Sequence, residues 1–221
     1  MEIKPIAYIK TDFKEKFGIP RQSGRVKALM GKIKFLGEFK HPDAIKGIEE
    51  YSHLWIVFGF SRAKYKAKTM TVRPPRLGGN KRVGVFASRS PYRPNSLGLS
   101  CVKLERIEDG ALIVSGVDLL DDTPIYDIKP YIPYSDCIQN AKGSFAEENK
   151  NYALEVDFPQ ELLKILPKEK QSVAILCLAD DPRPSYHSDD RVYSMLYAGY
   201  DIHFKVFDNI LTVIGVDKKS L

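Results

Sequence analysis

Between Tyr51 and Leu104 the chain has no aspartate or glutamate, while eleven lysines and arginines fall in the same 54 residues. The rest of the 221-residue chain holds 23 basic against 28 acidic side chains, so the whole excess behind the net charge of +6 sits in that one stretch. A solvated basic face is the ordinary source of such a bias. A contiguous stretch of this length without one carboxylate points instead to a polyanionic partner, nucleic acid first. Long apolar runs are also missing. None approaches the roughly 18–20 residues that span a bilayer, so no membrane association is expected. The opening MEIKPIAYIK carries no apolar signal region, and the expectation is a cytoplasmic protein. Cysteine is scarce. Cys101, Cys137 and Cys177 are odd in number and far apart, without C-x-x-C spacing, which excludes a disulfide framework or zinc knuckle and leaves buried free thiols. No G-x-G-x-x-G or Walker pattern occurs, so Gly78-Gly79 is not a nucleotide fingerprint.

With 43% apolar and 28% charged residues, the chain can form a real core of one large domain or of one domain plus an appendage. The densest punctuation lies at 83–100, VGVFASRSPYRPNSLGLS. A short strand, Val83–Ala87, runs into a turn with Arg89, Arg93, Tyr92, Asn95 and three serines. Pro91 and Pro94 stiffen that turn by fixing two φ angles and restricting their predecessors. A stiff loop carrying forked cationic donors suits an anion or nucleotide site, and an ordinary surface turn is the alternative.

Taken in order, Lys4–Ile9 reads as a first strand and Thr11–Gln22 as a loop ending in Gly18-Ile19-Pro20-Arg21-Gln22. Arg25–Met30 and Lys32–Leu36 read as two strands broken at Gly31, and Ala44–Glu50 as a short helix. Leu54–Phe60 is apolar almost throughout, which predicts a central strand buried on both faces, with Trp55 in the core. Ser61–Arg82 is the basic loop. Its Lys64, Lys66, Lys68, Arg73 and Arg76 suit phosphate contacts. Ser100–Ile107 and Ala111–Val117 form a hairpin about Asp109-Gly110. Asp118–Asp136 holds five carboxylates, three prolines and three tyrosines, and is expected to be a rigid turn whose carboxylates bond backbone groups or face a cationic ligand, with the basic stretch as a candidate to lie opposite it. It lacks the glycine and terminal glutamate of an EF-hand, so no metal site is assigned.

After Gln139–Asn151, a candidate boundary, a short helix follows Pro159, then an apolar strand Ser172–Leu178, a stiff turn Asp180–Tyr186 and a helical turn within Asp189–Tyr197. A hairpin of Ile202–Phe207 and Ile210–Val216 closes the chain. The sum is mainly β: a small β-barrel over residues 1–140 and a small α/β domain over 141–221.

Four strings, GIPRQ, VRPPRLGGN, VGVFASRSPYRPNSLGLS and DLLDDTPIYDIKPYIPYSD, in that order and with DPRPSY in the tail, closely resemble the TsaA/TrmO (YaeB-like) family. The resemblance implies a homodimeric β-barrel methyltransferase. It would use S-adenosylmethionine to methylate the exocyclic amine of threonylcarbamoyl-adenosine beside the anticodon of a threonine tRNA. The implied cofactor contacts are Pro20, Arg21, Gln22, Ser61, Arg62, Arg89, Leu99, Asp121, Asp122, Thr123 and Pro124. Arg21 or Arg89 can take the methionine carboxylate, Leu99 can pack on the adenine, and Asp121 or Asp122 can bond the ribose or amino group. Asp127, Tyr131 and Asp136 are candidate proton acceptors. Tyr92 or Tyr186 could stack on the target base, and Arg93 and Arg183 could meet the tRNA. Three departures from the family pattern stand out: Ser61-Arg62 replaces His-Lys, Ser96 replaces a proline, and Asp122 replaces a glycine that Asp can mimic in the left-handed region. A non-catalytic, basic β-barrel RNA-binding module is the competing reading.

Overall fold

The strand expected over Arg25–Met30 does not form, residues 25–28 being turn and bend, and the single strand here starts at Met30 and runs through Gly31. A computed structural model describes residues 2–62, 70–74, 81–148, 150–183 and 191–219. Strand β1 (Ala7–Thr11) pairs antiparallel with β2 (Met30–Phe35) straight through Gly31, whose partner is Thr11. A Cβ on Gly31 would lie 2.8 Å from Ile9 Cδ1 and 3.1 Å from Val117 Cγ1. Glycine here allows close packing and does not end the strand.

Six strands close into a barrel. To β1 and β2 are added β3 (His53–Gly59), β6 (Leu97–Glu108), β7 (Ala111–Ser115) and β8 (Thr123–Pro130), in the order β1-β2-β7-β6-β3-β8. The seam is β1 against β8, with Ala7 opposite Ile125. Closure leaves no long unpaired edge. Two short strands outside the barrel, β4 (Thr71–Val72) and β5 (Val83–Gly84), pair with each other. The opening run at Val83 is therefore a two-residue strand followed by a 3₁₀ turn, Val85–Ala87.

Several expectations change. β3 is not buried on both faces: Leu54, Ile56 and Phe58 point into the barrel, while His53, Trp55 and Val57 face outward and are half-buried. Trp55 is thus an outer-face residue. Ala44–Glu50 is two 3₁₀ turns, Pro42–Ile45 and Ile48–Glu50, separated by Gly47 at φ +83°. Asp118–Asp136 is no turn throughout, since β8 supplies its middle. Pro124 and Pro130 sit near the ends of β8, where a missing N–H donor costs least. The Asp109-Gly110 hairpin forms as expected, with φ +52° and +71°, as a two-residue turn requires.

Beyond the barrel come short helices α1 (Pro133–Asp136), α2 (Phe145–Glu148) and α3 (Gln160–Leu163), and a longer α4 (Lys168–Ala179). Ser172–Leu178 is therefore helix and not strand. Its buried Val173, Ala174, Cys177 and Leu178 recur at helical spacing. A second sheet has the order β10 (Tyr193–Tyr197), β11 (Tyr200–Phe207), β12 (Ile210–Lys218) and β9 (Glu155–Asp157), the last parallel to β12. The helical turn expected before Tyr197 is thus strand β10, while residues 184–190 lie outside the described ones. The β11–β12 hairpin turns at Asp208-Asn209, both at positive φ.

The two sheets share one core. Phe13, from the loop after β1, packs on Tyr197 at 5.2 Å between ring centroids, and Phe17 stacks on Tyr193 and Phe204. Of the three thiols, Cys177 is buried, Cys101 half-buried and Cys137 exposed, so the expectation of burial fails for Cys137. Among the described residues no helix is long and apolar enough to cross a membrane.

Gly98, opposite Phe58 in the β3–β6 ladder, gives the barrel wall a direct test. A Cβ there would lie 2.2 Å from Phe58 Cζ. Gly98→Ala is expected to cost about 1–3 kcal/mol through overpacking. It should lower the urea midpoint with an unchanged m-value, and an unchanged midpoint would refute this packing.

Candidate active site

At one end of the barrel β3 runs out and β8 begins, reached from β7 by the connection Gly116–Asp122. A cleft of about 180 Å³ opens there. Ile19, Phe58, Phe60, Leu119 and Leu120 give it apolar walls. Ser61, Arg62 and Thr123, all expected cofactor contacts, line it together with Lys16, Pro91 and Asp118. That connection is fixed by backbone bonds: Asp121 N–H donates to Phe13 O (2.8 Å), and Asp122 N–H to Ile9 O (2.9 Å). Asp122 takes φ +58°, the left-handed conformation that replacing a glycine demands of it. Thr123 Oγ1 donates to Leu120 O at 2.7 Å. Lys16 Nζ donates to Arg62 O, and Arg62 Nη1 to Lys14 O, which ties the Ser61-Arg62 segment to the loop after β1.

The aspartates of this turn act first on the scaffold. Asp121 is buried, accepts the Thr11 N–H at 2.9 Å and pairs with Lys14 at 2.5 Å. Burial pushes its carboxyl up. Lys14, the Thr11 N–H and Lys10 outweigh this and hold it below the usual carboxylate range. Asp122 pairs with Lys10 at 2.5 Å. Asp121 and Asp122 thus take their lysines from β1 and the following loop, not from the basic stretch. Asp118 is the exception, because Arg89 from that stretch acts on it.

On the other side of Asp118, Arg89 Nη1 donates to Gln22 Oε1 at 2.6 Å. Ser23 Oγ accepts the Cys101 N–H of β6 at 3.2 Å, so the Arg21–Ser23 loop lies along that strand near Leu99. Arg21 Nη2 donates to Arg183 O at 2.6 Å. Arg183 is itself gripped by Asp181, with Nε to Oδ1 at 2.9 Å, and Tyr152 OH donates to Asp181 Oδ2 at 3.0 Å. The Arg183 guanidinium is nearly buried in this pair, which corrects its expected place on the RNA backbone. The tail turn instead holds the Arg21 loop.

Arg93 also folds back: its Nη1 donates to Ser88 O at 3.0 Å and supports the central turn. Ser96 takes φ +48°, closed to the proline that the family pattern puts there, so this turn ends differently. Arg73 and Tyr92 are exposed. Lys64, Lys66, Lys68, Arg76 and Tyr186 lie outside the described residues. Pro20 is buried in its loop and Pro124 is buried near the start of β8.

The candidate proton acceptors do not meet in the cleft. Asp127, Val57 and Leu99 form one outward-facing row across β8, β3 and β6. Asp127 pairs with Lys129 at 3.1 Å. Tyr131 and Asp136 lie at the far end of the barrel, beyond His53, roughly 20 Å along β3 from the cleft. There Trp55 Nε1 and the Ile132 N–H both donate to Asp136 Oδ2, at 2.9 and 2.8 Å, and Tyr131 packs against the rings of Trp55 and His53. Asp118, Lys16 and the apolar walls were not singled out from sequence. Asp118 was counted only as one carboxylate among five. Among the described residues no three His, Cys, Asp or Glu side chains gather as a metal site.

This geometry has close relatives. The tRNA-methyltransferase O N-terminal domain family matches residues 8–137, and the TrmO C-terminal domain family matches residues 151–219. The chain is 36% identical to a tRNA (adenine(37)-N6)-methyltransferase of Escherichia coli strain K12 over 99% of this chain and 98% of that one. A protein of the same name from Homo sapiens is 39% identical over 66% of this chain and 33% of its own. Two crystal structures of TrmO from Pseudomonas aeruginosa superimpose with TM-scores of 0.82 and 0.79, each at 32% identity. They cover 99% and 98% of this chain, and 97% and 98% of their own.

The buried Asp121 makes stability acid-sensitive. Its carboxyl is held below the ordinary value of 3.8 in the folded chain, so its contribution is complete above that pH and is lost as pH falls through the folded value. Urea unfolding is expected to show stability falling below about pH 4. Asp121→Asn should be less stable at pH 7 and flatter in this acid range, whereas a variant with the parent's acid slope would contradict the assignment.

Proposed function

Because the chain belongs to the tRNA-methyltransferase O family, we propose that it is an S-adenosylmethionine-dependent tRNA methyltransferase. Its target is the exocyclic amine of threonylcarbamoyl-adenosine beside the anticodon of a threonine tRNA. The observation that carries the reading is the convergence at one barrel end of Ser61, Arg62 and Thr123 on a cleft whose Asp118 adjoins the Gln22–Arg89 pair.

The residues present fit the cofactor. The apolar walls suit an adenine and a thioether chain, and Arg21 or Arg89 suits the methionine carboxylate. When bound, S-adenosylmethionine supplies an activated methyl group. The protein's part is to align the attacking nitrogen with that methyl carbon, exclude water, and draw on the N–H proton as the nitrogen pyramidalises. Arg73, Tyr92 and the lysines of the basic loop serve the tRNA.

The unit of function is a homodimer in the cytoplasm, with the methyltransferase domain over residues 1–140 and the second domain over 141–221. The outward face of β3 and β6 supports pairing of two copies: Leu99 is 53% exposed, beside Val57 and Trp55, and exposed Tyr134 and Ile138 follow at the barrel's far end. A second copy on that face would also cover Asp127.

The test is methyl incorporation into tRNA carrying the threonylcarbamoyl group, beside calorimetric titration of S-adenosylmethionine. Arg89→Ala is expected to bind the cofactor at least about 30-fold more weakly, the weight of roughly 2 kcal/mol for a charged hydrogen bond, with tRNA affinity unchanged. Wild-type protein that binds tRNA without cofactor heat or methyl product would leave the RNA-binding module as the function.

A further inference from the structure

The five carboxylates of Asp118–Asp136 are not equivalent. Asp121 is paired with Lys14, Asp122 with Lys10 and Asp127 with Lys129, and Asp136 holds Trp55 and a backbone N–H at the far end. Asp118 is different. Among the described residues no ion pair within 4 Å engages it. Its Oδ1 accepts the Ser100 hydroxyl, and the backbone N–H groups of Ser23 and of Asp118 itself also bear on the carboxylate. A carboxylate has about four lone-pair positions, so these partners orient it and leave room for one more donor. Among the described residues it is also the one carboxylate lining the cleft.

We propose that Asp118 is the proton acceptor of the methyl transfer. The inference rests on the methyltransferase reading above. As the lone pair of the adenine's exocyclic nitrogen forms its bond to the methyl carbon, the carbon–sulfur pair returns to sulfur, which becomes a neutral thioether. The proton leaves that nitrogen for Asp118, which becomes a neutral acid and later releases the proton to water. Three features of the site suit this role. The carboxylate is not neutralised by a lysine, so it keeps its basicity. Phe58 and Leu119, which line the cleft with it, limit its hydration, and burial accordingly raises its carboxyl above the ordinary value. Ser100, itself buried on the inner face of β6, holds the acceptor in place before any ligand arrives.

The charged groups facing Asp118 are Arg89, from the central turn, and Lys16 and Arg62 around the same cleft. An acid limb of the rate is assigned to the carboxylate, whose burial raises it. Asp118→Asn keeps an acceptor for Ser100 and removes a buried charge, so its melting temperature at pH 7 should equal or exceed that of the wild type.

The experiment compares full-length wild type and Asp118→Asn in single-turnover methylation of threonylcarbamoyl-bearing tRNA across pH, with calorimetry of S-adenosylmethionine binding. The variant is expected to bind the cofactor within about threefold of the wild type, to transfer methyl at least about 100-fold more slowly, and to lose the acid limb. An Asp118→Asn rate within threefold of an active wild type overturns this inference alone. So does cofactor affinity that falls in step with the rate, since Asp118 would then be a donor-binding residue. A wild type that transfers no methyl group overturns the methyltransferase reading and this inference together.

Discussion

One aspartate reinforces the barrel seam where the β1–β8 ladder ends. Asp121 joins the start of β8 to the end of β1 twice, through its carboxylate to the Thr11 N–H and through its own N–H to Phe13 O, with Lys14 balancing the buried charge. That weld adds to the backbone ladder that closes the sheet, and it fixes the course of Gly116–Asp122 at the barrel end. Since that segment forms one side of the cleft, the same contact that reinforces the seam also shapes the site. A buried charge is costly unless it is paired and hydrogen-bonded, and here both conditions are met.

The second sheet also has a part in the site. Phe13 and Phe17, which follow the weld, are the rings on which Tyr197, Tyr193 and Phe204 pack. From the same region Asp181 fixes Arg183, and the Arg183 carbonyl holds Arg21. The tail therefore buttresses the loop carrying Arg21 and Gln22, while Arg89 engages Gln22 from the other side. A rigid scaffold that positions polar loop ends before a ligand arrives is the arrangement that orientation-dependent catalysis needs.

Much of this was legible in the sequence where local chemistry decides. Asp109-Gly110 and Asp208-Asn209 are turns because few other residues accept positive φ, and the left-handed conformation of Asp122 was implied by the glycine that the family pattern puts there. Short apolar runs were less informative. Ser172–Leu178 carries the composition of a strand and is a helix, because a seven-residue apolar run fits both periods. Leu54–Phe60 looked doubly buried because Trp55 and Val57 are apolar, yet they line the outside of a closed barrel. The site's charge pattern was least visible. Nothing in the spacing of Asp118, Asp121 and Asp122 says that Lys14 and Lys10, more than a hundred residues earlier, neutralise two of them and leave the third facing the cleft. That distinction arises only when β1 closes on β8.

The location of the methyl donor is therefore the most direct test. A crystal structure of the full chain with S-adenosylmethionine is expected to place the ligand at the barrel end where β3 runs out, between the Gln22–Arg89 pair and Asp118. Its methyl group should lie on the side from which a flipped adenine can approach. Ligand density at the opposite end, beside Trp55 and Tyr131, or on the second sheet, would contradict it.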